Sequence, residues 1–184
     1  MKGIPVHGKY AWLPILYDFI VTLKPKKIIE FGPGRGFTTV TMAQALKENA
    51  IDGQINSYDI WNDSYWGNHR SSLNEFKNWE VLEYINLYEM DFYEWLKTDE
   101  DFDFLYFDID NTGEKLELLY DKVKNQIQSG SVVFFEGGSE ERDNHGAVGK
   151  NMYDIKDKIG YKILTDNIKY SASIIYNENK YNLI

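Results

Sequence analysis

The sequence predicts a single α/β domain built on a doubly wound, mostly parallel sheet with helices on both faces. Short apolar runs typical of strands alternate along the chain with stretches of helical periodicity, as expected of βαβ units. A glycine-rich turn follows the first apolar run, and acidic residues end several later ones. With 184 residues, we expect one domain over 1–184, in which residues 1–24 form an N-terminal arm and helix.

The stretch 26–41, KKIIEFGPGRGFTTVT, carries the main functional signal. Its apolar residues Ile28, Ile29 and Phe31 suit a central strand that is buried on both faces. Gly32, Gly34 and Gly36 then form a turn, where glycine permits positive φ and leaves no Cβ to block a ligand. A helix is predicted from Phe37 onward, so its unpaired N-terminal amides would face that ligand.

The spacing of these glycines distinguishes two kinds of cofactor. A dinucleotide fingerprint, G-x-G-x-x-G, has its third glycine deeper in the helix, whereas Gly36 comes one position earlier. Glu30 would repel a pyrophosphate but would suit a cationic amino-acid group. The pattern Glu30-x-Gly32-x-Gly34-x-Gly36 resembles motif I of the class I S-adenosylmethionine-dependent methyltransferases. The resemblance implies that these four residues bind S-adenosylmethionine.

Further cofactor residues are expected where the second and third strands end. The resemblance implies that Asp59 binds the ribose hydroxyls and that Asp91 reaches the adenine amino group. Trp61 is predicted to stack near adenine, and Phe92 to flank its ring. NAD enzymes also place an acid at the position of Asp59, so this residue supports the fold without choosing the cofactor.

The order of elements resembles that of small O-methyltransferases such as catechol O-methyltransferase. This implies a seven-stranded sheet of order 3-2-1-4-5-7-6 that ends in a hairpin. Periodicity predicts helices at 10–23, 38–47, 69–79, 112–127 and 151–159, and strands at 28–31, 54–60, 84–90, 102–108, 132–135, 161–164 and 170–176.

Acids that end the fourth and fifth strands are expected on the acceptor side. Asp108 and Asp110 follow the fourth strand, and Glu136 ends the fifth, so parallel strands would bring them to one edge of the sheet. Such carboxylates could hold Mg²⁺ or Ca²⁺, although metal-dependent relatives have Asp-Asn where this chain has Glu136-Gly137. Without a metal, Asp108, Glu136 or His145 is the candidate acid–base group.

Composition excludes several other classes of function. The net charge of −9 and pI near 4.8 disfavour nucleic acid as a partner, and no basic stripe offsets them. Cysteine is absent, which excludes disulfides and thiol nucleophiles. With no apolar run of about 18 residues and no signal-peptide pattern, we expect no membrane contact and a cytoplasmic location.

The sequence therefore predicts methyl transfer from S-adenosylmethionine to a small molecule, at oxygen. An NAD-type oxidoreductase is a rival that the glycine spacing disfavours, and a non-catalytic cofactor-binding or scaffold subunit is another. The fourth strand ends in FDIDN, which lacks the Pro-Pro-aromatic motif of enzymes that methylate nucleic-acid bases. A homo-oligomer is a further possibility, since a second subunit could complete the acceptor pocket of so short a chain.

Overall fold

The computed structural model describes residues 12–61, 69–145, 151–166 and 171–184, with the backbone alone at 69–72 and 75. The predicted arm at 1–9 therefore lies outside the described residues. The same holds for the first two residues of the predicted helix 10–23 and the first residue of the predicted strand 170–176.

Seven strands form one sheet in the order β3-β2-β1-β4-β5-β7-β6, which confirms the predicted fold and strand order. The first five strands are parallel, while β7 runs antiparallel to β5 and β6. The strands are Lys27–Phe31 (β1), Gln54–Asp59 (β2), Ile85–Glu89 (β3), Phe104–Phe107 (β4), Val132–Glu136 (β5), Lys162–Thr165 (β6) and Ala172–Ile175 (β7).

Helices connect these strands, and two short ones were not predicted. The helices Phe92–Trp95 and Glu140–Asn144 have four and five residues, too few for a periodic apolar stripe. The helix predicted at 151–159 is a 3₁₀ turn, Tyr153–Ile155, followed by a short helix, Lys156–Ile159. In the described part of the chain, no helix has the length and hydrophobicity to cross a membrane. The helices are Leu13–Leu23 (α1), Phe37–Glu48 (α2), His69–Asn78 (α3), Phe92–Trp95 (α4), Gly113–Ser129 (α5), Glu140–Asn144 (α6) and Lys156–Ile159 (α7).

The sheet separates two hydrophobic clusters, so both of its faces are covered. Successive side chains of a strand point to opposite faces. In β4, Phe104 and Tyr106 therefore join the cluster formed with α1 and α2, while Leu105 and Phe107 join the cluster formed with α5. All four side chains are buried, which explains why β4 has an uninterrupted apolar sequence.

Backbone hydrogen bonds continue past the carboxyl ends of the central strands. The Gly32 N–H donates to the Tyr58 carbonyl at 3.1 Å, and the Asp108 N–H donates to the Phe31 carbonyl at 3.1 Å. These bonds fix the glycine turn between the ends of β2 and β4. The turn, Asp59 and Asp108 consequently lie along one edge of the sheet, where ligands of doubly wound folds bind.

Candidate active site

The turn after β1 has a backbone that suits glycine. Gly32, Gly34 and Gly36 have φ values of 75°, 52° and 88°. A Cβ on Gly32 would lie 2.1 Å from the Asp108 carbonyl oxygen, and one on Gly36 would lie 2.7 Å from the Phe76 ring. Both distances are below any real Cβ contact, so these two glycines are required by packing and by backbone conformation.

Glu30 lies beneath this turn and is completely buried. Its carboxylate accepts hydrogen bonds from the hydroxyls of Thr38 (2.6 Å), Thr39 (2.6 Å) and Ser57 (2.8 Å). Burial raises the pKa of Glu30, and the three hydroxyl bonds oppose that rise. Glu30 thus ties β1 to the start of α2 and to β2, while its predicted contact with a cofactor stays a prediction.

Asp59 and Trp61 lie where β2 ends. Asp59 Oδ1 accepts a hydrogen bond from the Trp61 N–H at 3.1 Å, and burial raises the pKa of Asp59. Trp61 has a φ of 50°, and its indole N–H donates to the Tyr88 carbonyl on β3 at 3.3 Å. Asp59 is only partly buried, which leaves it available to a ligand. Its ribose contact and the stacking of Trp61 stay predictions.

Asp91 and Phe92 begin helix α4. Asp91 Oδ1 caps the helix by accepting from the Tyr93 N–H at 2.8 Å. Phe92 is buried and packs at 5.5 Å, between ring centroids, from Phe31. Tyr93, which the sequence reasoning did not single out, is 46% exposed beside Lys115, whose Nζ is 6.0 Å from the ring centroid. Contacts of Asp91 and Phe92 with adenine remain predictions.

Asp108 and Glu136 form a partly buried pair at the ends of β4 and β5, as the parallel order predicted. Asp108 accepts from the Asn111 side-chain N–H at 2.8 Å and from the Tyr106 hydroxyl at 3.4 Å. Burial, followed by the negative charge of Glu136, raises the pKa of Asp108 well above its usual value. Burial also raises the pKa of Glu136, against the effect of Arg142. Ionisation of both carboxyls at once is therefore unfavourable unless a cation balances their charge.

Arg142 is a site residue that the sequence reasoning missed. Its Nη2 donates to Glu136 Oε1 at 3.0 Å, and each side chain is 13% exposed. Gly137 and Gly138, with φ values of 102° and 91°, connect β5 to α6 through a backbone conformation that favours glycine. Ser139 then caps α6 by accepting from the Arg142 N–H at 3.2 Å. In the sequence EGGSEER, the glycine pair followed by a serine is the local pattern that could have indicated a turn and the start of α6.

The residues proposed for a divalent cation do not fit one. Glu136 is paired with the Arg142 guanidinium. Asp110 has a φ of 30° and pairs with Lys115 at 2.9 Å, with its side chain 83% exposed. Over the described ranges, no group of three His, Cys, Asp or Glu side chains is placed to hold a metal. The group beside the Asp108–Glu136 pair is thus the Arg142 guanidinium and not a third carboxylate.

His145 lies at the C-terminal end of α6 and is exposed. Its backbone N–H donates to the Glu141 carbonyl at 3.2 Å. Because Arg142 on the same helix contacts Glu136, His145 lies near the edge of the sheet that carries the Asp108–Glu136 pair. Its role in proton transfer stays a prediction.

Comparison with known proteins identifies the same architecture. The O-methyltransferase TomG from Streptomyces achromogenes, solved with SAM, is 14% identical with a TM-score of 0.64, covering 90% of this chain and 79% of that one. An O-methyltransferase from Bacillus cereus, solved with SAH, is 13% identical with a TM-score of 0.64, covering 92% and 79%. The methyltransferase PaMTH1 from Podospora anserina, also SAH-bound, is 11% identical with a TM-score of 0.64, covering 94% and 82%. At these identities the likeness shows the fold.

Comparison of the sequence with protein families identifies the family as well as the fold. No curated protein sequence matches the chain. The family described as "Methyltransferase domain" matches residues 29–136, more than half of the 184 residues. This range runs from β1 through the glycine turn to the end of β5, and so includes Glu30, Asp59, Asp108 and Glu136. The chain belongs to the methyltransferase domain family.

Proposed function

We propose that this protein transfers a methyl group from S-adenosylmethionine to a hydroxyl oxygen of a small-molecule acceptor. One observation carries the proposal: the positive-φ glycine turn directly adjoins the partly buried Asp108–Glu136 pair, through the close approach of Gly32 to the Asp108 carbonyl. A ligand on the turn would present its reactive group beside two carboxyls. O-methyltransferases of the same fold that were solved with SAM or SAH support this choice of cofactor.

The residues on the cofactor side have distinct tasks in this proposal. Gly32 and Gly36 are packed against neighbouring residues, so a flat ligand would lie against the turn at Gly34, which carries no side chain. Asp59 is suited to two ribose hydroxyls and Asp91 to an exocyclic amine, as acceptors of hydrogen bonds. When bound, S-adenosylmethionine supplies an electrophilic methyl group on a cationic sulfonium. The negative charge of Asp108 and Glu136 favours a cation at that position.

On the acceptor side, Asp108 is the proposed base. As the acceptor oxygen bonds to the methyl carbon, the methyl–sulfur bond would break with its electron pair staying on sulfur, so that S-adenosylhomocysteine would leave. The O–H bond of the acceptor would break as well, and its proton would pass to the Asp108 carboxylate. Hydrogen bonds from Asn111 and Tyr106 hold this carboxylate in place. The proton then leaves to solvent, and no divalent cation takes part. Alignment of the acceptor oxygen with the methyl group supplies the remaining acceleration.

Calorimetry tests the cofactor assignment. Asparagine tolerates left-handed φ, so Gly34→Asn should keep the backbone turn while adding a side chain on the ligand surface. The matched control is Gly160→Asn, since Gly160 has a φ of 75° in open space. We expect S-adenosylhomocysteine to bind the wild type and the control, and to bind Gly34→Asn at least about tenfold more weakly. Equal affinity in both variants, or preferential binding of NAD⁺, would refute the assignment.

Turnover tests the reaction. Methyl transfer from labelled S-adenosylmethionine should be followed over a panel of phenols, polyols and amines, with and without a chelator. We expect labelled methyl ethers, formed at the same rate with the chelator present. Methylation of amines alone would reject the oxygen assignment, and loss of rate that Mg²⁺ restores would reject transfer without a metal.

Three sequence-based expectations accompany the proposal. They are one domain over residues 1–184, a cytoplasmic location and the possible assembly of two copies around the acceptor pocket. Absence of a nucleic-acid partner follows from the net charge of −9 as an expectation of the same kind. Light scattering of the purified chain tests the assembly.

A further inference from the structure

The ion pair between Arg142 and Glu136 differs in its surroundings from ion pairs on the surface. Each partner is 13% exposed, whereas the similar pair Lys162–Glu178, 2.7 Å apart, has side chains 46% and 61% exposed. Water screens an exposed pair, so that its contribution is small. The Arg142 guanidinium, in contrast, acts on Glu136 with little screening, because both side chains are largely withdrawn from water.

The negative charges around Asp108 oppose its ionisation unless a cation lies nearby. The negative charge of Glu136 on β5 acts directly on Asp108, and the buried Glu30 on β1 adds another carboxyl. Tyr106 donates to Asp108 but carries no positive charge. Full ionisation of Asp108 and Glu136 would therefore place two negative charges together in a poorly solvated site. Arg142, on α6, is the cation that contacts this pair among the described residues.

We propose that Arg142 is a positioning residue that takes the place of a divalent cation at the acceptor site. Its fixed charge balances Glu136, which allows Asp108 to be ionised and to accept the acceptor's proton. This inference rests on the proposed methyl transfer. Asp143, beside Arg142 on α6, is occupied in accepting from the Tyr153 N–H at 2.7 Å.

Two substitutions of Arg142 separate its charge from its shape. Arg142→Met keeps most of the side-chain length and removes the charge, while Arg142→Lys keeps the charge without the planar fork. Lys162→Met is the matched control, because it removes one positive charge from an exposed ion pair. Glu136→Gln should move the titration midpoint of Asp108 in the direction opposite to Arg142→Met, because it removes the neighbouring negative charge.

The primary measurement is the pH dependence of the Asp108 carboxyl ¹³C signal, which needs neither cofactor nor acceptor. We expect Arg142→Met to move the titration midpoint upward by about one to three pH units. The midpoint in Arg142→Lys should stay near that of the wild type, and the midpoint in Lys162→Met should equal that of the wild type. Glu136→Gln should lower the midpoint, and the double variant Arg142→Met/Glu136→Gln should lie between the two single variants. The pH–rate profile of methyl transfer should move in the same directions.

The outcomes separate this inference from the proposed function. An unmoved midpoint in Arg142→Met, or an equal shift in Arg142→Lys, would overturn the role of the Arg142 charge even if methyl transfer is confirmed. Failure of the wild type to bind S-adenosylhomocysteine would reject the proposed function, whatever the titration shows. If Arg142→Met does not fold, Glu136→Gln still decides, because a midpoint that does not fall would contradict the coupling on which the inference depends.

Discussion

Replacement of Gly32 by alanine tests how tightly the glycine turn is joined to the acidic pair. The new Cβ would lie 2.1 Å from the Asp108 carbonyl oxygen and 2.9 Å from its carbonyl carbon. These are backbone atoms, which a rotamer change cannot remove from the contact. The ends of β1 and β4 would therefore have to separate by about 1 Å, which strains a packed region. Gly160→Ala is a close control, because Gly160 has the same φ of 75° with nothing within 4 Å of its added Cβ.

The expected loss of unfolding free energy in Gly32→Ala has two contributions. Both variants place alanine in the left-handed region, which costs about 1 kcal/mol of unfolding free energy. Gly32→Ala additionally forces the overlap with the Asp108 backbone, for which overpacking costs about 1–3 kcal/mol more. We therefore expect a destabilisation of about 2–4 kcal/mol for Gly32→Ala and about 1 kcal/mol for Gly160→Ala. The difference between the variants measures the steric part alone.

Urea unfolding followed by tryptophan fluorescence provides the assay, since the chain has 5 Trp residues. Cofactor affinity of the folded Gly32→Ala protein should also fall, because the turn and Asp108 move together, while Gly160→Ala should bind like the wild type. Equal destabilisation of the two variants would refute the reasoning, since it would mean that the Asp108 backbone yields without cost.

Two further predictions concern residues that support the site. Burial raises the folded-state pKa of Glu30, so its ionisation opposes folding; this penalty is absent below the unfolded value of about 4.3 and grows as the pH rises toward the folded pKa. Urea unfolding at several pH values should thus show Glu30→Gln gaining stability relative to the wild type as the pH rises from about 4, and a constant difference would contradict this. Ser139→Ala removes the cap of α6 and should cost about 1 kcal/mol in the same assay, with a pH–rate profile shifted as in Arg142→Met. An unchanged profile would show that the cap does not position Arg142.

The sequence by itself determined the elements whose signals are local. The apolar run of β1, the three glycines and the periodic helix after them occupy consecutive residues, so they were predicted from residues 26–41 alone. Strand ends at Asp59, Asp108 and Glu136 followed similarly from where each apolar run stops. Parallel pairing then places such ends at one edge, and the strand order was supplied by the family resemblance.

Tertiary structure decided which side chains face one another. Glu30 accepts from Ser57, 27 residues away, and no periodicity reports such a partner. The Arg142–Glu136 pair depends on a turn at positive φ and on a helix of five residues, too short for a hydrophobic pattern. Asp110 was among the predicted candidates for a metal ligand, yet its side chain pairs with Lys115 and is exposed to solvent. Sequence patterns record which face of an element is apolar, whereas the pairing of buried charges depends on the three-dimensional path of the chain between them.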